Sequence, residues 1–214
     1  MIKGLIFDLD GTTIDTLGDI VYSFNAALRE FDFPEKSREE IRMGVGRGFR
    51  ALVDAVAPAD ASQETKDELA NRYKNIYREN YYKTSIAYEG MMEVMKDLQD
   101  KGIKLAVNSN KSDEFTIQLI ARNYPGIDFI AVIGAREGVA HKPDPTTALQ
   151  IAQMMDLRPE EIAYVGDSDV DMKTGKNAGM KTIGCLWGYR DEALLRENGA
   201  DHIAIIPKDI ELYL

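Results

Sequence analysis

From residue 88 onward, short apolar runs alternate with stretches of helical periodicity, and this alternation constrains the fold more than any other feature of the chain. The apolar runs lie at 103–107, 129–133, 162–166 and 182–186. Between them, apolar side chains recur every three or four positions, as they do in amphipathic helices. Strands that are joined through helices pair in parallel, and the helices cover both faces of the sheet. The sequence therefore predicts an α/β fold with a doubly wound, Rossmann-like parallel sheet.

An earlier apolar strand is predicted at residues 3–8, and a long stretch with little strand signal separates it from the others. Within residues 15–84, apolar positions recur at helical spacing, which predicts an all-helical insert. We therefore expect an α/β core domain of residues 1–14 and 85–214, interrupted by this helical insert. Because the insert directly follows the first strand, it would lie over the carboxyl ends of the strands, where such sheets bind ligands.

Composition excludes several classes of protein. The 214 residues include 26 Lys and Arg against 36 Asp and Glu, which gives a formal charge of −10. No basic cluster is present, so no nucleic-acid partner is expected, and no apolar run reaches the roughly 18 residues of a membrane helix. Cys185 is the only cysteine, and acidic residues interrupt the apolar start of the chain too early for a signal peptide. A cytoplasmic protein is expected, and both a monomer and a homodimer remain open.

Two carboxylates at the end of the first strand carry the strongest chemical signal. Asp8 and Asp10 stand two positions apart, so their side chains point the same way. Carboxylates this close repel one another unless a cation or a phosphate-binding pocket compensates their charge. One can then act as a nucleophile and the other as a proton donor. Gly11 allows a sharp turn with amides facing an anion, whereas the alternative is a solvated Asp-Gly turn.

Three further polar clusters adjoin predicted strands or helices. Ser109 and Asn110 follow one strand and could hold phosphate oxygens, although a turn with a helix cap would also explain Ser109. Lys142 precedes a helix and is a natural counterion for carboxylate and phosphate, although a lone loop lysine is usually solvated. Asp167 and Asp171 follow another strand and offer the hard oxygen ligands that Mg²⁺ prefers, although helix capping would explain one of them.

Taken together, the four motifs resemble the haloacid dehalogenase superfamily. DLDGT after the first strand, a strand ending in Ser109, Lys142 within KPDP, and GDSDVD at residues 166–171 occur in the order seen in that superfamily. The resemblance covers essentially the whole chain, and four ordered motifs are much more specific than any single one. The helical insert is similar to the small cap of the phosphoglycolate phosphatase-like branch.

The resemblance implies a role for each motif residue. Asp8 would attack phosphorus in line and become an aspartyl-phosphate. Asp10 would protonate the leaving alkoxide and then deprotonate the water that hydrolyses the intermediate. The transferring phosphoryl group would be held by Ser109, Lys142 and the amides of Gly11 and Asn110.

The resemblance also implies Mg²⁺ as the cofactor. Its ligands would be the Asp8 carboxylate, the Asp10 backbone carbonyl and the Asp167 carboxylate. Asp171 would hold a metal-bound water or position Lys142. The chain is therefore expected to be a Mg²⁺-dependent phosphatase for a small phosphorylated metabolite, with 2-phosphoglycolate as the leading substrate.

Other functions remain open at this point. A sugar phosphomutase or an inorganic pyrophosphatase of the same superfamily would use the same motifs, because a few insert residues decide the phosphoryl acceptor. A phospho-accepting signalling module is a rival from another class, but it has no acid/base two residues beyond its phosphorylated Asp. A catalytically silent binding protein would have no need for so many converging carboxylates.

Two features of the helical insert are ambiguous. Arg47, in a glycine-rich segment, is a candidate for binding a substrate carboxylate, and an exposed arginine without a role is the alternative. That segment lacks the spacing of a dinucleotide-binding loop. The tyrosines at 73, 77, 81 and 82 follow helical spacing, which favours packing within the insert over a binding platform.

Overall fold

A computed structural model describes residues 1–214. Its eight strands are β1 (Gly4–Phe7), β2 (Ile14–Asp15), β3 (Ile86–Ala87), β4 (Lys104–Ser112), β5 (Phe129–Ala135), β6 (Ile162–Gly166), β7 (Lys181–Cys185) and β8 (His202–Ala204). The α-helices are α1 (Leu17–Glu30), α2 (Arg38–Gly44), α3 (Phe49–Val56), α4 (Gln63–Asn80), α5 (Met91–Asp100), α6 (Asp113–Asn123), α7 (Thr146–Met154), α8 (Asp169–Asn177) and α9 (Glu192–Glu197). Two short 3-10 helices span Pro159–Glu161 and Pro207–Tyr213. None of the helices combines the length and apolar character needed to cross a bilayer.

Six strands form one parallel sheet in the order β5-β4-β1-β6-β7-β8. Side chains alternate along β1, so Leu5 and Phe7 pack with α5 and α6 on one face, whereas Ile6 packs with α7 on the other. Both faces are therefore covered by helices, as parallel sheets require. The predicted α/β fold with a doubly wound parallel sheet is confirmed.

Helices α1 to α4 pack around an apolar cluster of their own. Aromatic rings dominate this cluster, and the rings of Phe24 and Tyr73 stack with their centroids 3.8 Å apart. On either side of these helices, β2 and β3 pair antiparallel, so that the chain enters and leaves through one two-stranded ribbon. The division into a core domain of residues 1–14 and 85–214 and a helical insert of residues 15–84 stays a prediction.

Two local features were not specified by the sequence-based expectations. Within the insert, the chain turns between α2 and α3, with positive φ at Gly46 (101°) and Gly48 (89°). In addition, β4 continues beyond the apolar run to Ser112. Ser109 is therefore a strand residue, and the explanation of Ser109 as a helix cap is wrong, because the cap position of α6 is Ser112.

Candidate active site

The carboxyl ends of three adjacent strands bring the predicted site residues together. Asp8 follows the central strand β1, Ser109 lies in β4, and Asp167 follows β6. Because β4 and β6 flank β1 in parallel, all three residues lie at the same edge of the sheet. Each of them is at most 4% exposed, so their polar groups depend on one another rather than on solvent.

A buried charge cluster forms the base of the site. The Lys142 Nζ atom lies 2.8 Å from Asp8 Oδ1 and 2.7 Å from Asp171 Oδ1. Asp8, Asp167 and Asp171 each direct one carboxylate oxygen to within 4.8 Å of the others. Asp8 Oδ1 accepts no hydrogen bond of good geometry, despite its closeness to Lys142. When all four groups are ionised, one ammonium faces three carboxylates, which leaves a surplus of negative charge that a dication would neutralise.

The pKa values of the clustered groups reflect this surplus of negative charge. Burial, followed by repulsion from Asp171, raises the pKa of Asp8 to about 7. Burial, followed by repulsion from Asp171 and Asp8, raises the pKa of Asp167 to about 8. Burial by itself would lower the pKa of Lys142, but the carboxylates of Asp171 and Asp8 raise it well above its ordinary value. The lysine is therefore charged at neutral pH, whereas Asp8 and Asp167 ionise there only in part.

Local hydrogen bonds fix the acidic side chains after β6. The other oxygen of Asp171 accepts from the backbone N–H (3.1 Å) and hydroxyl (2.6 Å) of Ser168, forming a capping box at the start of α8. The Asp167 carboxylate accepts from the Thr12 hydroxyl at 3.0 Å and from the Tyr189 N–H at 2.7 Å. One Asp171 oxygen contacts Lys142 and the other accepts from Ser168, so the side chain is positioned to hold Lys142. Each carboxylate oxygen has a second lone pair, so a role beside a metal ion stays open.

Gly11 is required by the turn after β1. Its φ is +84°, and a Cβ atom there would lie 2.4 Å from Asp167 Oδ2. A larger residue would therefore strain the backbone and displace a carboxylate of the cluster. The Gly11 N–H donates to the Ile14 carbonyl at 3.0 Å, so this amide is not directed to an anion in the present conformation.

Asn110 holds the loop that carries Lys142. Its Oδ1 accepts from the Lys142 backbone N–H at 2.9 Å, and its Nδ2 donates to the Lys142 carbonyl at 3.1 Å. Nδ2 also donates to the Gly46 carbonyl at 2.9 Å, which links this loop to the segment between α2 and α3. The Ser109 hydroxyl accepts from the Lys111 N–H at 3.2 Å, and its own proton remains available to a ligand.

Comparison with known proteins identifies the family. A family model of haloacid dehalogenase-like hydrolases matches residues 5–185, a range that contains every motif described above. The chain belongs to the haloacid dehalogenase-like hydrolase family. It is 33% identical over 190 residues to a phosphoglycolate phosphatase of Aquifex aeolicus, covering 86% of this chain and 85% of that protein. It is 30% identical to a phosphoglycolate phosphatase of Nitrosospira multiformis, covering 96% and 92%.

Solved structures of related proteins share the whole architecture. The crystal structure of a predicted phosphoglycolate phosphatase from Haemophilus somnus superposes with a TM-score of 0.90 at 26% identity, covering 99% of this chain and 97% of that one. A haloacid dehalogenase-like hydrolase from Streptococcus pneumoniae gives a TM-score of 0.89 at 21% identity, covering 99% and 98%. At 21% identity, the similarity to the Streptococcus pneumoniae protein shows only a shared fold.

The residues of the cluster suit the divalent metal that phosphatases of this family generally use. Asp8, Asp167 and Asp171 provide hard oxygen donors close to one another, and their surplus negative charge matches a small dication. Lys142 cannot fill this role, because it already neutralises one charge and offers no oxygen ligand. The donor set therefore fits Mg²⁺.

Asp10 has a separate environment that includes a lysine not singled out from the sequence. Lys111 Nζ lies 2.9 Å from Asp10 Oδ1, and the Thr16 hydroxyl donates to the same oxygen. The ammonium group of Lys111 also lies 4.7 Å from the centroid of the Tyr77 ring. The position of Lys111, directly after Ser109-Asn110, was the only signal for it in the sequence.

A cavity of about 240 Å³ adjoins Asp8, Asp10 and Ser109 and reaches into the helical insert. Tyr73 and Tyr77 line it, and both rings also pack against other aromatic rings of the insert. The packing favoured for these tyrosines is observed, and their rings also form part of the cavity wall.

Arg47 and Arg190 both lie where the insert meets the sheet edge. Arg47 does not line the cavity, because its guanidinium points to Asp169 at 3.2 Å and its side chain is 59% exposed. Arg190, which is 8% exposed, donates to the Arg42, Met43 and Val45 carbonyls at 3.1, 2.9 and 3.1 Å. It thus supplies side-chain donors to the carbonyls at the end of α2 and at its cap residue Val45, although the Arg42 carbonyl also accepts from the Val45 N–H.

Arg190→Ala is expected to lower the free energy of unfolding by about 1–3 kcal/mol, because the carbonyls at the end of α2, among them the buried Val45 carbonyl, lose side-chain donors. The loop after α2 would also loosen over the cavity, so KM for the hydrolysed ester should rise several-fold. Chemical denaturation and steady-state kinetics measure the two effects. Arg196→Ala is the control, since Arg196 makes an exposed pair with Glu192 and should change stability by no more than about 0.5 kcal/mol.

Stability should depend jointly on pH and Mg²⁺. The raised pKa values of Asp8 and Asp167 favour the folded state at low pH, and this contribution is lost as pH rises from the ordinary value of 3.8 to about 7 and about 8. A Mg²⁺ ion held at this site would bind the ionised carboxylates, so the increase in Tm on adding MgCl₂ should be larger near about pH 8.5 than near about pH 5.5. Asp167→Asn should reduce that increase, whereas Asp97→Asn, at an exposed pair with Lys208, should not. An increase that is equal at both pH values would contradict the assignment.

Proposed function

We propose that this chain is a Mg²⁺-dependent phosphatase that hydrolyses a small phosphomonoester, with 2-phosphoglycolate as the leading substrate. The observation that carries the proposal is the buried contact of Asp8 with Lys142, beside surplus carboxylates and at the base of a cavity. Such a site compensates the charge of a phosphoryl group while leaving a carboxylate to attack it. The curated relatives at 30–33% identity are phosphoglycolate phosphatases, which supports this substrate.

Asp8 would act as the nucleophile. One of its carboxylate oxygens attacks phosphorus, the bond from phosphorus to the ester oxygen breaks, and an aspartyl-phosphate forms. Asp10, which also lines the cavity, gives its proton to the departing oxygen. Asp10 then takes a proton from water as that water attacks phosphorus, which releases phosphate and restores the Asp8 carboxylate.

The remaining site residues would hold the phosphoryl group. Lys142 places a positive charge beside Asp8, and Asp171 with Asn110 keeps that charge in position. The free proton of the Ser109 hydroxyl would bind a phosphoryl oxygen. Together these donors stabilise the negative charge that is shared among the phosphoryl oxygens during transfer.

Mg²⁺ would be held by the carboxylates of Asp8 and Asp167 and by the Asp10 carbonyl, with Asp171 adjacent. When bound, it supplies compensation for the negative charge of the phosphoryl group and of the nucleophile. The helical insert of residues 15–84 would move as a unit about the β2–β3 ribbon, so that substrate enters and bulk water is then excluded.

Phosphate release from a small panel tests the proposal. The panel contains 2-phosphoglycolate, β-glucose 1-phosphate, pyrophosphate and p-nitrophenyl phosphate, each assayed with and without Mg²⁺. Metal-dependent release with 2-phosphoglycolate preferred is the expected result. Preference for pyrophosphate, or turnover of the sugar phosphate into its isomer, would replace the proposal by the corresponding function. No release, together with a long-lived aspartyl-phosphate, would indicate a signalling module instead.

A further inference from the structure

The cavity beside Asp10 is the space that a leaving group has to occupy. It extends from Asp8 and Asp10 toward α3 and α4, and its volume is about 240 Å³. The phosphoryl group would take the part beside Asp8 and Ser109, which leaves the remainder for the leaving group. Apolar side chains line much of that remainder, namely Ile20, Phe49, Leu52, Tyr73, Tyr77 and Phe115. This part of the cavity therefore suits an apolar substituent on the leaving group.

Two lysines line this cavity, Lys74 and Lys111, and Lys111 is the one that contacts Asp10. Lys111 lines it, its side chain is only 7% exposed, and its ammonium group contacts the Asp10 carboxylate at 2.9 Å. An ammonium group has three donor hydrogens, so it can bind a second anion while it keeps this contact. Lys142 is committed to Asp8 and Asp171, Arg47 lies outside the cavity, and Lys74 lines it without a contact to Asp10. A negative charge close to the ester oxygen would therefore meet Lys111.

Two hydroxyl groups near Lys111 have no partner. Tyr77 is 2% exposed, and its Oη atom is buried without a hydrogen bond. Ser112 Oγ is also buried without a partner, and both residues line the cavity. A buried hydroxyl without a partner is costly, and a ligand oxygen within reach of either one would satisfy it. A carboxylate has acceptor oxygens for the ammonium group and for a hydroxyl.

The contact between Lys111 and Asp10 locates that carboxylate along the substrate. Asp10 is the group that would protonate the ester oxygen, so a group bound by Lys111 lies within a few bonds of that oxygen. This closeness suits esters of 2-hydroxy acids, in which a single carbon separates the ester oxygen from the carboxyl group. We infer that the substrates are phosphate esters of 2-hydroxy carboxylic acids, of which 2-phosphoglycolate is the smallest, and that the site also accepts an apolar substituent on that carbon, with Lys111 binding the carboxylate and the aromatic walls binding the substituent. This inference rests on the phosphatase function proposed above.

Matched pairs of esters test whether the enzyme recognises a carboxylate on its substrate. Each pair consists of an acid and the same ester without its carboxyl group, namely 2-phosphoglycolate with methyl phosphate, and 2-phospho-3-phenyllactate with 2-phenylethyl phosphate. For the native enzyme, kcat/KM should favour the acid in each pair by about 100-fold or more. Because the ratio is taken within one variant, a general loss of activity cancels from it.

Substitutions then show which side chain is responsible for the preference for the acid. Lys111→Met should reduce the ratio to below about tenfold, Lys111→Arg should retain most of it, and Tyr77→Phe should lower it several-fold. Lys74→Met is the control, since Lys74 lines the same cavity without a contact to Asp10, and it should keep the ratio. An unchanged ratio in Lys111→Met, or a loss in Lys74→Met instead, would overturn the role of Lys111.

The phenyl group tests the apolar walls separately. The kcat/KM for 2-phospho-3-phenyllactate should equal or exceed that for 2-phosphoglycolate. A value about 100-fold lower would overturn the inferred substituent. Hydrolysis of p-nitrophenyl phosphate distinguishes a wrong substrate class from a wrong phosphatase function. If that ester is hydrolysed but neither ratio behaves as expected, only the substrate class is wrong, whereas no hydrolysis of any ester contradicts the phosphatase function itself.

Discussion

Asp8→Asn is expected to reduce phosphate release by about 10⁴-fold or more, because an amide cannot replace the carboxylate that attacks phosphorus. The expected effect on stability is different. Asp8 has a pKa raised to about 7 by burial and by the neighbouring Asp171, so its ionised form is unfavourable in the metal-free protein. At about pH 8, the free energy of unfolding of the metal-free variant should therefore equal or exceed that of the native protein.

Asp19→Asn is a matched control for this prediction, since it makes the same carboxylate-to-amide change at another buried aspartate. Asp19 accepts hydrogen bonds from the N–H and hydroxyl groups of Thr84 and Ser85 at 2.8–3.0 Å. Its replacement should lower the free energy of unfolding by about 1–3 kcal/mol. Phosphate release and urea denaturation measure both variants. Residual activity above about 1% in Asp8→Asn would show that another group is the nucleophile.

Lys142→Met is expected to have the largest effect on stability. The substitution leaves the Asp8 and Asp171 carboxylates without their shared counterion, and the lysine and both carboxylates have side chains at most 3% exposed. Breaking a buried ion pair on one side costs about 3–5 kcal/mol. The loss should shrink near about pH 5, where the orphaned carboxylates can take up protons. Phosphate release should also fall by about 100-fold or more, because the phosphoryl group loses a fixed charge.

Lys176→Met provides the comparison with an exposed ion pair. Lys176 lies 2.6 Å from Asp201, and the two side chains are 41% and 24% exposed. Screening by solvent limits such pairs to about 0–1 kcal/mol. Denaturation of the two variants at about neutral and about pH 5 therefore separates a buried cluster from a surface contact. If Lys142→Met were no more destabilising than Lys176→Met, the charge balance assigned to the cluster would be wrong.

The sequence alone was sufficient to predict those features that a local pattern of residues specifies. The alternation of apolar runs and helical periods predicted the α/β sheet, because each period determines which face of a strand or helix is buried. The carboxyl ends of parallel strands meet at one edge, so the polar residues after β1 and β6 could be expected to converge. Asp8 and Asp167 lie there as predicted. Their roles in catalysis and metal binding stay predictions.

Tertiary contacts decided the features that have no local pattern. β2 and β3 are only two residues long, which is too short to give a period, and they pair through residues distant in sequence. Whether an arginine or a lysine faces the cavity depends on how the helices lie over the sheet. The structure directs Arg47 to Asp169 and places Lys111 against Asp10 and Tyr77. Periodicity specifies which residues are buried, whereas the partner of a long charged side chain is determined only when separate elements pack together.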